Sequence, residues 1–215
     1  MHVAVVANGE LPEDGHSALT DLLRSADQVI AADGGLTHCV SLDRWPDRLI
    51  GDLDSAPDEL IAGARSRGTT VRAYSANKDA TDLELALEDA IAIGATAVTV
   101  VAPFGGRLDH ELATINLLAD PRWSSLVMAG TDGRRDLWVV RNELELALDP
   151  GATLTLLAWG GPALGVTTAG LQWPLVGETL TVGSTRGVSN VALAEGQRVV
   201  LDSGTLLAIH DRYQE

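Results

Sequence analysis

The chain predicts a two-part α/β protein, and three observations carry that prediction. Apolar runs of strand length alternate with helix-length amphipathic segments up to about residue 129. A turn-rich stretch, Gly130-Thr131-Asp132-Gly133, then interrupts the pattern. Beyond it lie only short alternating or apolar runs, separated by Gly, Pro, Asp and Ser. Alternating strands and helices mean βαβ units and a mostly parallel sheet; many short strands with frequent turns mean a sandwich or barrel. The expected architecture is a mostly parallel six-stranded sheet with flanking helices, Rossmann-like in type, over residues 1–133. An all-β sandwich follows over residues 134–215.

Taken in order, Val3–Ala7 reads as a buried strand closed by Asn8-Gly9 and Pro12. Leu19, Leu22 and Leu23 have helical spacing within 17–26, and Gln28–Ala32 is a second strand ending in Asp33-Gly34-Gly35. A short helix over 36–42 precedes a third strand, Arg48–Ile50, and a helix over 57–67 precedes a fourth, Thr69–Tyr74. Thr81 and Glu84 have capping-box spacing, so a helix starts there and runs to Ile93, with Gly94 as its stop. A fifth strand over 97–102, a helix from Glu111 to Leu118 and a sixth strand over 125–129 complete the first part. The second part offers seven runs: 137–141, 143–148, 153–158, 166–169, 178–182, 198–201 and 205–210.

Composition narrows the function. A hydrophobic content of 46% supplies a full core, and no run of 18 apolar residues suggests a membrane span. The start lacks a basic segment followed by a long apolar one, so no secretory signal is expected. Cys39 is the only cysteine, which excludes an internal disulfide and fits a reducing cytoplasm. A net charge of -15 argues against nucleic acid and favours a cationic or metal-bound partner, and most of the acidity lies in the first part.

In open α/β sheets ligands bind beyond the carboxyl ends of the strands. Asp33, Asp52, Asp54, the group Lys78–Asp82 and the group Gly105–His110 all follow predicted strands, so they are expected at one edge. In Ile50-Gly51-Asp52-Leu53-Asp54-Ser55 a strand's period of two would point Asp52 and Asp54 the same way. Four aspartates (Asp33, Asp52, Asp54, Asp82) are too many to neutralise one another, and a divalent metal is the economical explanation. Asp79 either joins them or caps the helix, and Asp82 alone would equally suit the helix dipole. Lys78 is the one lysine among 15 basic residues, which suggests a place for a compact ammonium. Lys78 and Arg107 suit phosphate, Gly34-Gly35 and Gly105-Gly106 allow close backbone approach, and Thr81 sits at a helix N-terminus. Arg107, Asp109 and His110 read equally as an ion pair with a helix cap. Neither a G-x-x-x-x-G-K-[ST] loop nor a G-x-G-x-x-G fingerprint occurs. In the second part Trp173 could stack on a cationic ring, although such a Trp more often belongs to a core.

The ordered set Ala32-Asp33-Gly34-Gly35, Gly51-Asp52-Leu53-Asp54-Ser55, Lys78-Asp79-Ala80-Thr81-Asp82-Leu83-Glu84 and Gly105-Gly106-Arg107-Leu108-Asp109-His110 closely resembles the thiamine pyrophosphokinase family. Gly170-Leu171-Gln172-Trp173-Pro174-Leu175 and Val188-Ser189-Asn190 extend the resemblance to both parts. It implies transfer of pyrophosphate from ATP to the thiamine hydroxyl, giving thiamine diphosphate and AMP, by a homodimer with thiamine near the subunit interface. By position it implies metal ligands Asp52, Asp54 and Asp82 for Mg²⁺. Asp33, Gly34, Gly35, Lys78, Thr81, Gly106, Arg107, Asp109 and His110 would serve the nucleotide, and Trp173, Ser189 and Asn190 the thiamine. Lys78 and Arg107 would stabilise charge developing on the phosphates, and Asp79 or Asp33 is the candidate proton acceptor. Two departures stand out: Val191 replaces an expected acid, and Pro103-Phe104 is bulkier than the small residues expected before Gly105. The alternatives are a pyrophosphokinase for a pterin alcohol and a non-catalytic nucleotide or thiamine diphosphate sensor.

Overall fold

A computed structural model describes residues 1–193 and 196–212. The chain divides into two compact units, Met1–Gly133 and Arg134–Glu215.

The first unit is a parallel sheet with helices on both faces. Its strands are β1 (His2–Val6), β2 (Gln28–Ala32), β3 (Arg48–Gly51), β4 (Thr70–Ala73), β5 (Ala97–Val101) and β6 (Val127–Thr131). Its α-helices are α1 (His16–Ser25), α2 (Gly35–Ser41), α3 (Asp58–Ser66), α4 (Asp82–Ala92) and α5 (Leu108–Leu118). The strand order is β6-β5-β1-β2-β3-β4, and each pair is parallel. Val3, Ala4, Val5 and Val6 are all fully buried, which is why the strand reads as an unbroken apolar run. Alternate residues Ala4, Val6, Val29, Ala31 and Leu49 pack with Leu19 and Leu23 of α1, Leu36 and Cys39 of α2 and Ile61 of α3. Helix α4 packs against β1, β2 and β3. Arg48 of β3 and Arg72 of β4 both bond the carboxylate of Asp89 in α4, which is 3% exposed. The chain runs outward from β1 to β4 and then crosses to β5 beside β1. That reversal is the topological switch point where such sheets open a crevice.

The second unit contains β7 (Arg135–Val140), β8 (Glu143–Leu146), β9 (Thr153–Ala158), β10 (Ala163–Ala169), β11 (Glu178–Leu180), β12 (Asn190–Val191), β13 (Gln197–Val200) and β14 (Leu206–Asp211). They form two antiparallel sets, β12-β9-β14-β7 and β11-β10-β13-β8. Leu154, Leu156, Leu206 and Ala208 of the first set share one core with Val166, Leu180 and Val199 of the second. Strand β9 buries every second residue, as one covered face requires.

Some boundaries differ from the sequence reading for physical reasons. Gly130 and Thr131, expected in a linker, pair with Val100 and Val101 and end β6. A 3-10 turn at Pro121–Trp123, capped by Asp120, precedes the strand. Helix α5 begins at Leu108 rather than Glu111, so Asp109 and His110 occupy its first turn. The two-residue β12 has no sequence period to reveal it. No helix among the described residues is long and apolar enough to cross a membrane.

Candidate active site

The loops after β1, β2 and β5, with the starts of α4 and α5, surround an open cavity of about 870 Å³. Three of the five non-glycine residues with positive φ among the described residues follow strands of the first unit: Asp33 (46°) after β2, Leu53 (68°) after β3 and Ala102 (53°) after β5. Left-handed backbone at such residues costs roughly 1–3 kcal/mol each and is typical of functional turns. Asp33 is fixed there by its own N–H, which donates to the Ile50 carbonyl at 2.8 Å.

Carboxylate oxygens of Asp33, Asp52 and Asp82 lie within 4.8 Å of one another. Gly51 makes this approach feasible: a Cβ there would sit 2.9 Å from Asp33 Cβ and 3.0 Å from Asp82 Oδ1. Lys78 Nζ donates to Asp52 Oδ2 at 2.8 Å and stands 3.1 Å from Asp82 Oδ1. The second contact is an ion pair without hydrogen-bond geometry, so buried Asp82 Oδ1 has no hydrogen-bond partner, and neither does Asp33 Oδ1. The electrostatics follow from these contacts. The Lys78 ammonium lowers the pKa of Asp52, and the Asp52 carboxylate raises that of Lys78. Burial raises the pKa of Asp82 and outweighs the opposing pull of Lys78. Three clustered carboxylates with two unsatisfied buried oxygens are a donor set for a hard divalent cation.

The expectation that Asp52 and Asp54 point the same way is not met. Strand β3 ends at Gly51, and the left-handed Leu53 breaks the alternation on which it rested. Asp54 is exposed, accepts from Ser55 Oγ at 2.9 Å and stands outside the group of three, whose third member is Asp33.

Lys78, Thr81, Asp82, Gly106, Arg107 and His110 line the cavity together with Asp33. Thr81 caps α4, its Oγ1 accepting from Glu84 N–H at 3.2 Å. The expected capping box is half made, because the Glu84 carboxylate turns to Arg122 at 2.8 Å. Arg107 pairs with Asp109 at 2.6 Å, and both side chains are mostly exposed. Asp79 is exposed, and neither it nor Asp109 lines the cavity. Gly34 and Gly35 serve packing: a Cβ would meet the Asn8 side chain at 2.5 Å and the Val6 carbonyl at 2.0 Å. Pro103 and Phe104 find their space beside Gly130, where a Cβ would lie 3.1 Å from Pro103 Cγ. Sequence reasoning missed Glu111, Asp120 and Arg122, which line this cavity, and Glu10, which accepts from Gly106 of the lining; Arg122 also stacks on Trp123 at 4.9 Å.

In the second unit Trp173 is 49% exposed. Its N–H donates to Asn190 Oδ1 at 3.0 Å, and Asn190 Nδ2 donates to the Trp173 carbonyl at 2.7 Å. Asn190 is buried and its Oδ1 also accepts from Val191 N–H, so its amide holds the Trp173 backbone. Ser189 is exposed with a φ of 54°, and its N–H donates to Thr155 Oγ1 at 3.0 Å. Val191, the other departure, pairs with Thr153 in the β12–β9 ladder.

Comparison with known proteins decides what this arrangement belongs to. Residues 19–129 match the thiamin pyrophosphokinase catalytic domain, and residues 141–206 match the thiamin pyrophosphokinase vitamin B1 binding domain. The chain belongs to the thiamin pyrophosphokinase family. Within this family, Thiamine pyrophosphokinase of Bacillus subtilis is 24% identical over 182 residues, covering 84% of this chain and 85% of that protein. Thiamine pyrophosphokinase 1 of Oryza sativa subsp. japonica is 26% identical over 173 residues, 76% of this chain. The match spans 66% of the rice protein, just under two thirds of its length. A crystal structure of the Bacillus subtilis thiamine pyrophosphokinase shares the fold with a TM-score of 0.84 at 23% identity, covering both chains fully. That of yeast thiamin pyrophosphokinase gives 0.75 at 15% identity, over 98% of this chain and 86% of that one. These matches do not favour the pterin or sensor alternatives.

Proposed function

We propose that this chain is a thiamine diphosphokinase, moving the terminal pyrophosphoryl unit of ATP to the hydroxyl of thiamine. The observation that carries the reading is the group Asp33, Asp52 and Asp82 around Lys78, beside the cavity of a thiamin pyrophosphokinase-family chain. The thiamine hydroxyl oxygen bonds to the β-phosphorus, and the bond from that phosphorus to the oxygen shared with the α-phosphorus breaks. AMP leaves with that oxygen, and the hydroxyl proton passes to a carboxylate or to water.

Asp33, Asp52 and Asp82 would hold Mg²⁺, and the family resemblance adds Asp54 from the same turn. The bound ion would supply charge neutralisation for the phosphates. Lys78 meets the growing negative charge as a point cation, and Arg107 meets it as a fork on the cavity rim. Lys78 is held in place by two carboxylates, so its ammonium is aimed before substrate arrives. Trp173 offers an exposed ring for the cationic thiazolium, with Asn190 fixing its backbone, and Ser189, which precedes Asn190 in the chain, would complete the thiamine end. Asp79 or Asp33 is the candidate proton acceptor, and a loose transition state asks little of it. The working form is a homodimer; the exposed Trp173, Val176, Val188 and Leu193 of the second unit fit burial against a second copy. The single, fully buried thiol of Cys39 fits a cytoplasmic setting.

The test is AMP formation from ATP and Mg²⁺ by purified protein, with and without thiamine. AMP that depends on thiamine and equals thiamine diphosphate in amount is the expected result. Thiamine binding without AMP would replace this reading with the sensor, and turnover of a pterin alcohol in place of thiamine would replace the substrate.

A further inference from the structure

Two carboxylates that hold the glycine turn of the cavity lining have no part in the reaction just described. Glu10 follows the Asn8-Gly9 turn after β1, and Glu111 lies in the first turn of α5. The Gly105-Gly106 turn passes between them. Gly105 N–H donates to Glu111 Oε2 at 3.1 Å, and Gly106 N–H donates to Glu10 Oε1 at 3.3 Å. Gly105 has a φ of 91°, and a Cβ there would lie 2.5 Å from Glu10 Cγ and 2.7 Å from Glu10 Cδ. The Glu10 side chain therefore lies across the bare face of that glycine. Two backbone bonds join the same segments: Gly9 N–H to the Ala102 carbonyl at 3.0 Å and Glu10 N–H to the Phe104 carbonyl at 2.7 Å.

These contacts change what the glycine turn is for. An ionised carboxylate only accepts, and an N–H directed at it is not directed at a phosphate oxygen. A phosphate brought to the same N–H would also meet the like charge of the carboxylate. We propose that Glu10 and Glu111 are positioning residues that clamp Gly105-Gly106 from both sides. The clamp fixes the next residue, Arg107, on the rim and leaves the anionic nucleotide to the side-chain cations. This assigns Gly106 N–H to the clamp and not to the nucleotide. The inference rests on the proposed role of Arg107 toward ATP.

The experiment has two arms on the full-length protein, using wild type, Glu10→Ala, Glu10→Gln and Glu111→Ala. In the first, without substrates, amide hydrogen exchange at Gly105 and Gly106 is followed by NMR. Both amides should be protected in wild type. Gly106 should exchange at least about tenfold faster in Glu10→Ala, and Gly105 likewise in Glu111→Ala, as loss of a charge-assisted hydrogen bond predicts. Glu10→Gln keeps an acceptor oxygen and should restore protection of Gly106. In the second arm, KM for ATP should rise about tenfold in both alanine variants with KM for thiamine unchanged, and Glu10→Gln should recover most of the loss. Unprotected glycine amides in wild type would overturn the clamp. So would an ATP KM that is unchanged, or one that falls because the carboxylates had competed with nucleotide. If wild type makes no AMP, the kinase reading fails, and the exchange arm alone decides whether the clamp exists.

Discussion

Asp82, proposed to serve the chemistry, stands at the expense of the fold. Burial raises its pKa, so the folded chain holds its proton more tightly than the unfolded chain does. Such a group costs stability as pH rises from its unfolded value, about 3.9, through its raised folded value. Asp82→Asn removes that cost. Metal-free Asp82→Asn should therefore melt above wild type at pH 7, with the difference vanishing near pH 3, while turnover is lost. Calorimetry in chelator at the two pH values checks this, and a lower melting point at pH 7 would contradict it. Asp52 and Lys78 behave with the opposite sign. Asp52, with a lowered pKa, stabilises above its unfolded value, and Lys78, with a raised one, stabilises below its own. Their pair is thus fully present from about pH 4 to 10. Asp52→Asn and Asp33→Asn should each reduce turnover at least about 100-fold with far-ultraviolet circular dichroism unchanged, as loss of charge stabilisation at phosphate predicts. Near-normal turnover in either variant would remove that residue from the metal group.

At the scale of elements, the register between β3 and α4 sets the site. Strand β3 delivers Asp52, and α4 begins with Asp82. Two turns further along α4, Asp89 is bound by Arg48 at the start of β3 and by Arg72 of β4. Asp89 is buried, whereas Arg48 is only partly buried and Arg72 half exposed, so losing the carboxylate forfeits charge-assisted hydrogen bonds without leaving a fully buried charge, roughly 1.5–3 kcal/mol. Asp89→Ala should lose about that much in urea unfolding and should lower turnover, although Asp89 is not part of the cavity lining. A loss below about 1 kcal/mol would mean that packing alone holds α4 to the sheet.

At the scale of the whole molecule, the net charge is -15, and most of it lies in the unit where an anionic substrate is proposed to arrive. Cations must offset it there, and only Lys78, Arg107 and Arg122 line the cavity among the described lysines and arginines. A divalent ion bound by the three aspartates would stabilise the folded chain by mass action, about 2.7 kcal/mol at 100 times its Kd. Mg²⁺ titration should therefore raise the Tm of wild type and leave that of Asp52→Asn nearly fixed. An equal rise in both would assign the effect to general screening.

The sequence by itself determined the βαβ order, the strand ends that carry the acidic and basic groups, and the change to short antiparallel strands after residue 133. These are legible because buried parallel strands are unbroken apolar runs, and helices and turns carry local signals such as the Thr81 cap. It also isolated Lys78 and identified the family through an ordered set of motifs. Only the tertiary structure decided which carboxylates meet. Asp33 joins Asp52 and Asp82 because a left-handed turn and a glycine, neither of which shows in side-chain periodicity, bring three loops together. It also turned Gly34-Gly35 into a packing contact, Asn190 into a backbone clamp, and Glu10 and Glu111 into partners of a glycine turn, 96 and 6 residues away from the amides they hold. Contacts of that kind depend on how loops and element ends are placed in space, and no side-chain period encodes them.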